Sequence, residues 1–243
     1  MVDKNKFAFF TGLPRSGSTL FASILNQNPD IYVSTNSPLC EALYQTIKSF
    51  ITSTSFQAAP NPDGMTDILY NFFPSYYKPH LNKKLIFDKG FTWGTQINSD
   101  NLNRMFGGMP KFVVTTRNID DVIKSLIKLI DENPDNIFTR DTDKSKLETY
   151  DQKKNFLLQQ SWFVDSINST NYILEFYSKN CFEVKYDDLI DSPKKVLKKF
   201  YKFFDLPVYK HNLNNIVNSN QENDSVYGIP DMHKVRPTIG RLK

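Results

Sequence analysis

The chain has 243 residues, 40% hydrophobic and 14% aromatic, with 30 basic against 26 acidic side chains and a net charge of +4. That length and apolar content support one sizeable core and exclude a disordered chain, which would be poorer in Phe and Tyr. Near-balanced charge without a block of like charges argues against wholesale nucleic-acid binding, and two distant cysteines, Cys40 and Cys181, exclude a disulfide scaffold and a Cys-type zinc site.

The apolar run in "KFAFFT" (6–11) is too short for a signal peptide, and no stretch approaches ~18 apolar residues, so a soluble cytoplasmic protein without a membrane span is expected. The run instead predicts a strand that leads into a Gly/Pro/Ser loop. "STLFASILNQN" follows with helical spacing at Leu20, Ile24 and Leu25. "IYVS" (31–34) suits a second strand. Ser37 as N-cap and Pro38 at the first helical position start the next helix. Residues 53–64 read as a polar loop, and 65–78 as an aromatic-rich helix.

"KKLIFDKG" (83–90) and "PKFVVTTRN" (110–118) read as buried strands ending in charge, the second followed by an amphipathic helix from Ile119 through Ile130. A polar loop over 132–150, one long helix over 151–178, a strand "CFEVKY" (181–186) and a Ser192-capped helix stopped by Pro207 complete the regular elements. Residues 208–243 read as an irregular tail that must fold back over the site. Strands alternating with helices predict a single α/β domain, a three-layer P-loop-like fold with a central parallel sheet flanked by helices.

The loop "GLPRSGST" fits Gly-x-x-x-x-Gly-[ST] without the lysine that ATP-using loops carry after the second glycine. At a strand-to-helix junction, the backbone N–H groups of Ser16 to Thr19 would face an anion, helped by the helix dipole. Arg15 supplies charge, and Ser18 and Thr19 supply hydroxyls. The bland alternative is a Gly/Ser turn before a helix. Magnesium-triphosphate chemistry needs the lysine and a strand-end carboxylate. Here Ser18 and Arg117 stand in those places, which suits a donor with a single phosphate at the loop.

Taken together, "GLPRSGSTL", "TTRNIDDVIKSL" and "VKYDDLIDSPKKVLKKFYKFFDLP" resemble the sulfotransferases that use 3′-phosphoadenosine 5′-phosphosulfate (PAPS), most closely the Golgi and bacterial members with a "PRSG" loop. The resemblance implies that Arg15, Ser16, Gly17, Ser18 and Thr19 hold the 5′-phosphosulfate. It implies Arg117 and Ser125 (Arg-x7-Ser) for the 3′-phosphate, with Arg236 of the tail as a further ligand. Tyr186 would lie near the adenine, Lys89 near the transferred group, and no metal would be needed. The tail also carries Lys234 and Arg241. The product would be adenosine 3′,5′-bisphosphate.

The general base is the open position. The family's His two residues beyond the strand-end lysine is Phe91 here, and its alternative Glu falls at Asn36 or Ser37. Glu41 is the preferred catalytic candidate, with Asp88, His80 and His233 as alternatives. The acceptor is a small molecule, glycan or peptide carrying a hydroxyl or amine. Phe72, Phe73, Tyr76, Tyr77, Phe91 and Trp93 could line its pocket, or could be core. Two other functions stay open: a P-loop nucleotide or small-molecule kinase with a degenerate loop, and a non-catalytic binding protein of the same fold.

Overall fold

A computed structural model describes residues 2–3, 5–220 and 222–240. Five strands form one parallel sheet: β1 (Phe7–Gly12), β2 (Ile31–Asn36), β3 (Leu85–Lys89), β4 (Phe112–Thr116) and β5 (Cys181–Lys185). Their spatial order is β2-β3-β1-β4-β5. From β1 the chain goes to the edge strand β2, returns with β3 beside β1, then crosses to the other side for β4 and β5. Ligand crevices of open α/β sheets lie at such a reversal, beyond the carboxyl ends of the strands.

The helices are α1 (Ser18–Leu25), α2 (Leu39–Thr52), α3 (Thr54–Ala58), α4 (Pro62–Tyr76), α5 (Gln96–Met105), α6 (Ile119–Glu132), α7 (Tyr150–Gln159), α8 (Ser161–Phe176), α9 (Tyr186–Asp191) and α10 (Pro193–Phe203). Every residue of β1 is buried because both sheet faces are covered. Ala8 and Phe10 pack with Phe21 of α1 and Phe200 of α10. Phe7 and Phe9 point the other way, against Leu43 of α2, Phe73 of α4 and Leu102 of α5. A third cluster joins α6, α7 and α8 to Leu13 of the loop after β1.

Several sequence expectations are corrected. Part of the loop expected over 53–64 is helical: Ser53 Oγ accepts from Phe56 N to start α3, and Asn61 Oδ1 accepts from Gly64 N to start α4. The long helix over 151–178 is two helices, broken at Gln160 in extended conformation (ψ 126°). Helix α5 was not anticipated, because its polar sequence carries few periodic apolar residues. Ser192 precedes α10, yet its hydroxyl makes no capping bond. Tyr186 opens α9 instead of ending β5. Of the aromatic residues considered for an acceptor pocket, Phe73, Tyr77 and Trp93 are fully buried core.

Asp88 explains part of that core. Its carboxylate is buried at the end of β3 and accepts from Tyr77 Oη and Trp93 Nε1, both at 2.6 Å. Burial pushes its pKa up to about 6, against the pull of those hydrogen bonds. Asp88→Ala leaves two buried donors unpaired and is expected to destabilise the protein by about 2–4 kcal/mol, read from urea unfolding.

Candidate active site

The loop between β1 and α1 is shaped by two glycines. Gly12 (φ +141°) runs so close to β4 that a Cβ would lie 2.3 Å from the Thr115 carbonyl oxygen. Gly17 (φ +86°) caps α1, and a Cβ there would meet the Tyr186 ring at 2.9 Å. Between them Arg15 also takes the left-handed region (φ +58°), which turns its side chain out of the sheet edge. The Ser16 side chain turns inward instead. It is fully buried, bonded to the Leu13 carbonyl and the Thr115 hydroxyl, and does not line the cleft above. Of the predicted loop ligands, Ser16 therefore has only its backbone N–H to offer. Gly17, Ser18 and Thr19 line the cleft.

That cleft, about 900 Å³, also takes in Arg117, Ser125, Tyr186, Lys89 and Arg236. Arg15 Nε donates to Ser125 Oγ at 3.1 Å, so the loop and the Arg-x7-Ser segment meet directly. Arg117 donates from a terminal guanidinium nitrogen to the Arg15 carbonyl at 3.0 Å and lies over the Tyr186 ring at 4.2 Å. Burial and the neighbouring Arg117 lower the pKa of Arg15. Two guanidinium groups this close repel each other unless an anion joins them. Among the described residues, Arg15, Arg117 and Lys89 take part in no ion pair.

Lys89 is buried at the end of β3, with its Nζ 3.4 Å from Thr19 Oγ1. Its backbone is fixed by the Ser34 hydroxyl, which accepts from Lys89 N, and by Ser37 N, which donates to the Lys89 carbonyl. Burial lowers its pKa to about 8, opposed by the carboxylate of Glu222.

The tail crosses the cleft. Residues 207–220 carry no helix or strand, Asp224–Tyr227 form a 3-10 turn, and scattered polar contacts tie this tail down. Gln27 exchanges hydrogen bonds with Asn212, Arg15 donates to the Met232 carbonyl at 2.9 Å, and Glu222 accepts from Asn36 N at 3.0 Å. His233 lines the cleft with its Nδ1 2.6 Å from Asp224 Oδ1 and its Nε2 3.5 Å from Asn36 Nδ2. The carboxylate contact marks Nδ1 as the donating nitrogen and makes Nε2 the acceptor, facing the Asn36 amide nitrogen. Asn36 is the cross-strand partner of Lys89, so His233 stands over the same strand ends.

Glu222, Asp224 and His233 each present a ligand atom within 4.8 Å of the others, a grouping that could hold a cation. His233 cannot ligate through Nδ1 while donating Nδ1–H to Asp224, and the short hydrogen bond favours the donating role.

The other base candidates stand apart. Glu41 lies in the first turn of α2, exposed, bonded to Gln45 Nε2 at 2.6 Å and outside the cleft lining. Asp88 is spent on Tyr77 and Trp93 below the sheet. His80 stacks on Tyr32 at 3.6 Å, away from the loop. Arg236 lines the cleft, is exposed and donates to the Gly240 carbonyl; Arg241 lies outside the described residues. Glu222 and Asp224 were not foreseen, because nothing in "NQENDSVY" marks a partner for a His nine residues on.

A parallel sheet with a glycine loop, two arginines and a lysine gathered at its strand ends defines an α/β protein with a cationic cleft. The chain belongs to the sulfotransferase family, whose model matches residues 8–210. It is similar in fold to the sulfotransferase domain of the Synechococcus PCC 7002 olefin synthase, at 18% identity and TM-score 0.59, covering 98% of this chain and 85% of that one. The sulfotransferase domain from the curacin biosynthetic pathway gives 16% identity and TM-score 0.54, with coverages of 89% and 78%. A mouse sulfotransferase complexed with PAP gives 16% and 0.53, with coverages of 86% and 61%. No curated protein is similar enough in sequence to match. No helix among the described residues is long and apolar enough to cross a membrane.

Proposed function

We propose that the chain moves a sulfuryl group from PAPS to a hydroxyl or amine acceptor and releases adenosine 3′,5′-bisphosphate. The observation that carries this reading is the cluster of Arg15, Arg117 and Lys89 around one cleft, with no ion pair to any of them among the described residues and Glu222 acting on Lys89 from beyond ion-pair distance. A donor with a phosphate group at each end fits that set, and the tight approach of Gly17 to the Tyr186 ring brings the loop and α9 together at the cleft.

When bound, PAPS supplies an electrophilic sulfuryl group on a phosphate leaving group. Arg15 and the N–H groups of residues 16–19 would hold its 5′ end, Arg117 and Ser125 its 3′-phosphate, and Tyr186 would face the adenine. His233 Nε2 would take the proton from the acceptor hydroxyl or amine, with Asp224 holding the imidazole in the tautomer that leaves Nε2 to accept it. Lys89 meets the electron pair left on the departing phosphate oxygen. His233 replaces Glu41 as the base in this scheme. A magnesium-ATP kinase would need a lysine at position 18 and a carboxylate near position 117, and the chain has Ser18 and Arg117.

Titration calorimetry with adenosine 3′,5′-bisphosphate tests the donor assignment. Saturable binding is expected, weakened by about 1.5–3 kcal/mol in Arg117→Ala. Tight binding of magnesium-ATP with none of the bisphosphate would overturn it.

A further inference from the structure

His233 rides on the tail, so its place over the strand ends depends on what holds the tail there. The tail runs in two limbs. The outgoing limb, 211–220, is anchored to the body of the protein. His211 Nε2 lies 2.7 Å from Tyr201 Oη of α10, which also accepts from Asn28 Nδ2 at 3.0 Å. Ile216 is buried in the core cluster that holds Phe21 of α1 and Phe200 of α10. Asn220 Nδ2 donates to the Val33 carbonyl of β2 at 2.6 Å.

The returning limb, 228–239, carries His233 and lies along the first. Ile216 N donates to the Pro237 carbonyl at 2.7 Å, and Ile239 N to the Leu213 carbonyl at 3.3 Å. At His233 itself the link between the limbs is a side chain: Asn218 Nδ2 donates to the His233 carbonyl at 3.2 Å. The other end of that amide faces α1, where Asn218 Oδ1 lies 3.5 Å from Ser23 Oγ. Ser23 is buried, and its hydroxyl donates to the carbonyl of Thr19, a residue of the anion loop, at 2.7 Å.

The hydrogen bonds that His233 makes to Asp224, from its backbone N and from Nδ1, stay within the tail. They orient the ring without fixing the segment over the sheet. Joining the segment to α1 takes a group that donates at one end and accepts at the other, which an amide does and a carboxylate does not.

We infer that Asn218 is a positioning residue for the transfer, because it ties the His233 carbonyl to α1 and so sets where His233 Nε2 stands over the strand ends. This rests on the reading of His233 as the base. Proton transfer needs heavy atoms within about 2.6–3.2 Å of each other, so a small displacement of the carbonyl takes the ring out of reach.

The test follows sulfate release from PAPS by the whole chain, with water as the acceptor, in the unaltered protein, Asn218→Ala, His233→Ala and the double variant. The water oxygen bonds to sulfur as the bond from sulfur to the phosphate oxygen breaks, and one water proton passes to His233. Asn218→Ala is expected to slow release about tenfold while bisphosphate affinity stays within about twofold, since only the base is displaced. In the His233→Ala background the same substitution should change the rate less than about twofold, because it acts through that imidazole alone. A loosened tail acting by another route would slow both backgrounds. Exchange of the His233 amide hydrogen should quicken about tenfold in Asn218→Ala, with β1 unchanged. Asn218→Leu keeps the bulk and lacks the donor; it should match these changes and serves if the first variant unfolds. If His233→Ala is slow, then full-rate Asn218 variants, equal slowing in both backgrounds or unchanged exchange at His233 overturns the inference and leaves the base reading standing. If His233→Ala releases sulfate at full rate, the base reading has failed and the inference falls with it.

Discussion

His233→Ala is expected to lower kcat for transfer from PAPS to a hydroxyl acceptor by about 10²–10⁴-fold, while bisphosphate affinity stays within about twofold. The reason is the directed geometry of the imidazole. Asp224 accepts from Nδ1 at 2.6 Å, Glu222 Oε2 lies 3.4 Å from the same nitrogen, and Nε2 is turned toward Asn36 at the strand ends. Asp224→Asn should also reduce kcat, because an amide no longer fixes the tautomer. Added imidazole should restore part of the His233→Ala activity, which a purely structural defect would not allow. Glu41→Gln is the control. That side chain is exposed and tied to Gln45, so kcat should change less than about twofold. A full-rate His233→Ala enzyme would remove the tail from the chemistry.

Lys89→Met is expected to cost about 10²–10³-fold in kcat, the usual effect of deleting one group aimed at developing charge in a dry site. Lys89 adds a pH signature. Burial brings its pKa down from 10.5 to about 8, with Glu222 opposing the shift. In the ligand-free protein the ammonium is therefore lost as pH rises through about 8, and bisphosphate affinity should fall across that range. A bound anion favours the charged form, so the transition moves upward in the complex. Stability moves the other way. Between pH 8 and 10.5 the unfolded chain keeps a proton that the folded protein has released, so this residue makes stability rise with pH over that window. Lys89→Met should flatten both profiles. Unfolding and binding measurements at pH 7, 8 and 9 separate them, and an unchanged affinity profile would exclude Lys89 from the anion site.

Both effects depend on one construction. The sheet presents Lys89 and the loop glycines at its carboxyl edge, and the tail brings His233 and Glu222 to the same edge. The Lys89 pKa is lowered by burial, and a carboxylate 133 residues away in sequence opposes that shift. A substitution that loosens the tail, such as loss of the Arg15 contact to the Met232 carbonyl, reaches the base as well as the anion loop.

The family motifs were legible because they sit on local structure. Runs such as "FAFF" and "FVVT" read as strands since both faces of a parallel sheet are buried, and α6 reads as a helix from its apolar spacing. Arg117 and Ser125 sit at one strand end and on the helix that follows it, so their spacing lets both face one anion, and the resemblance named that anion the 3′-phosphate. Gly12 and Gly17 were readable for the same reason, as a turn that must pass close to other backbone.

The surroundings of His233 and Glu41 and the fate of Ser16 were decided only by tertiary structure. Glu41 and His233 are both plausible in a list of residues, and Glu41 is nearer the loop in sequence. What chooses between them is the path of the tail, fixed by single polar contacts such as Asn36 with Glu222 and Gln27 with Asn212, which leave no periodic trace. The same holds for the aromatic residues. Phe73 and Trp93 entered the core while Phe138, Trp162 and Tyr227 came to the cleft, because side-chain chemistry alone does not tell a packed ring from one that faces a ligand. Local periodicity determined the sheet and the anion loop; long-range contacts, each entropically costly to form and invisible in composition, determined what stands opposite them.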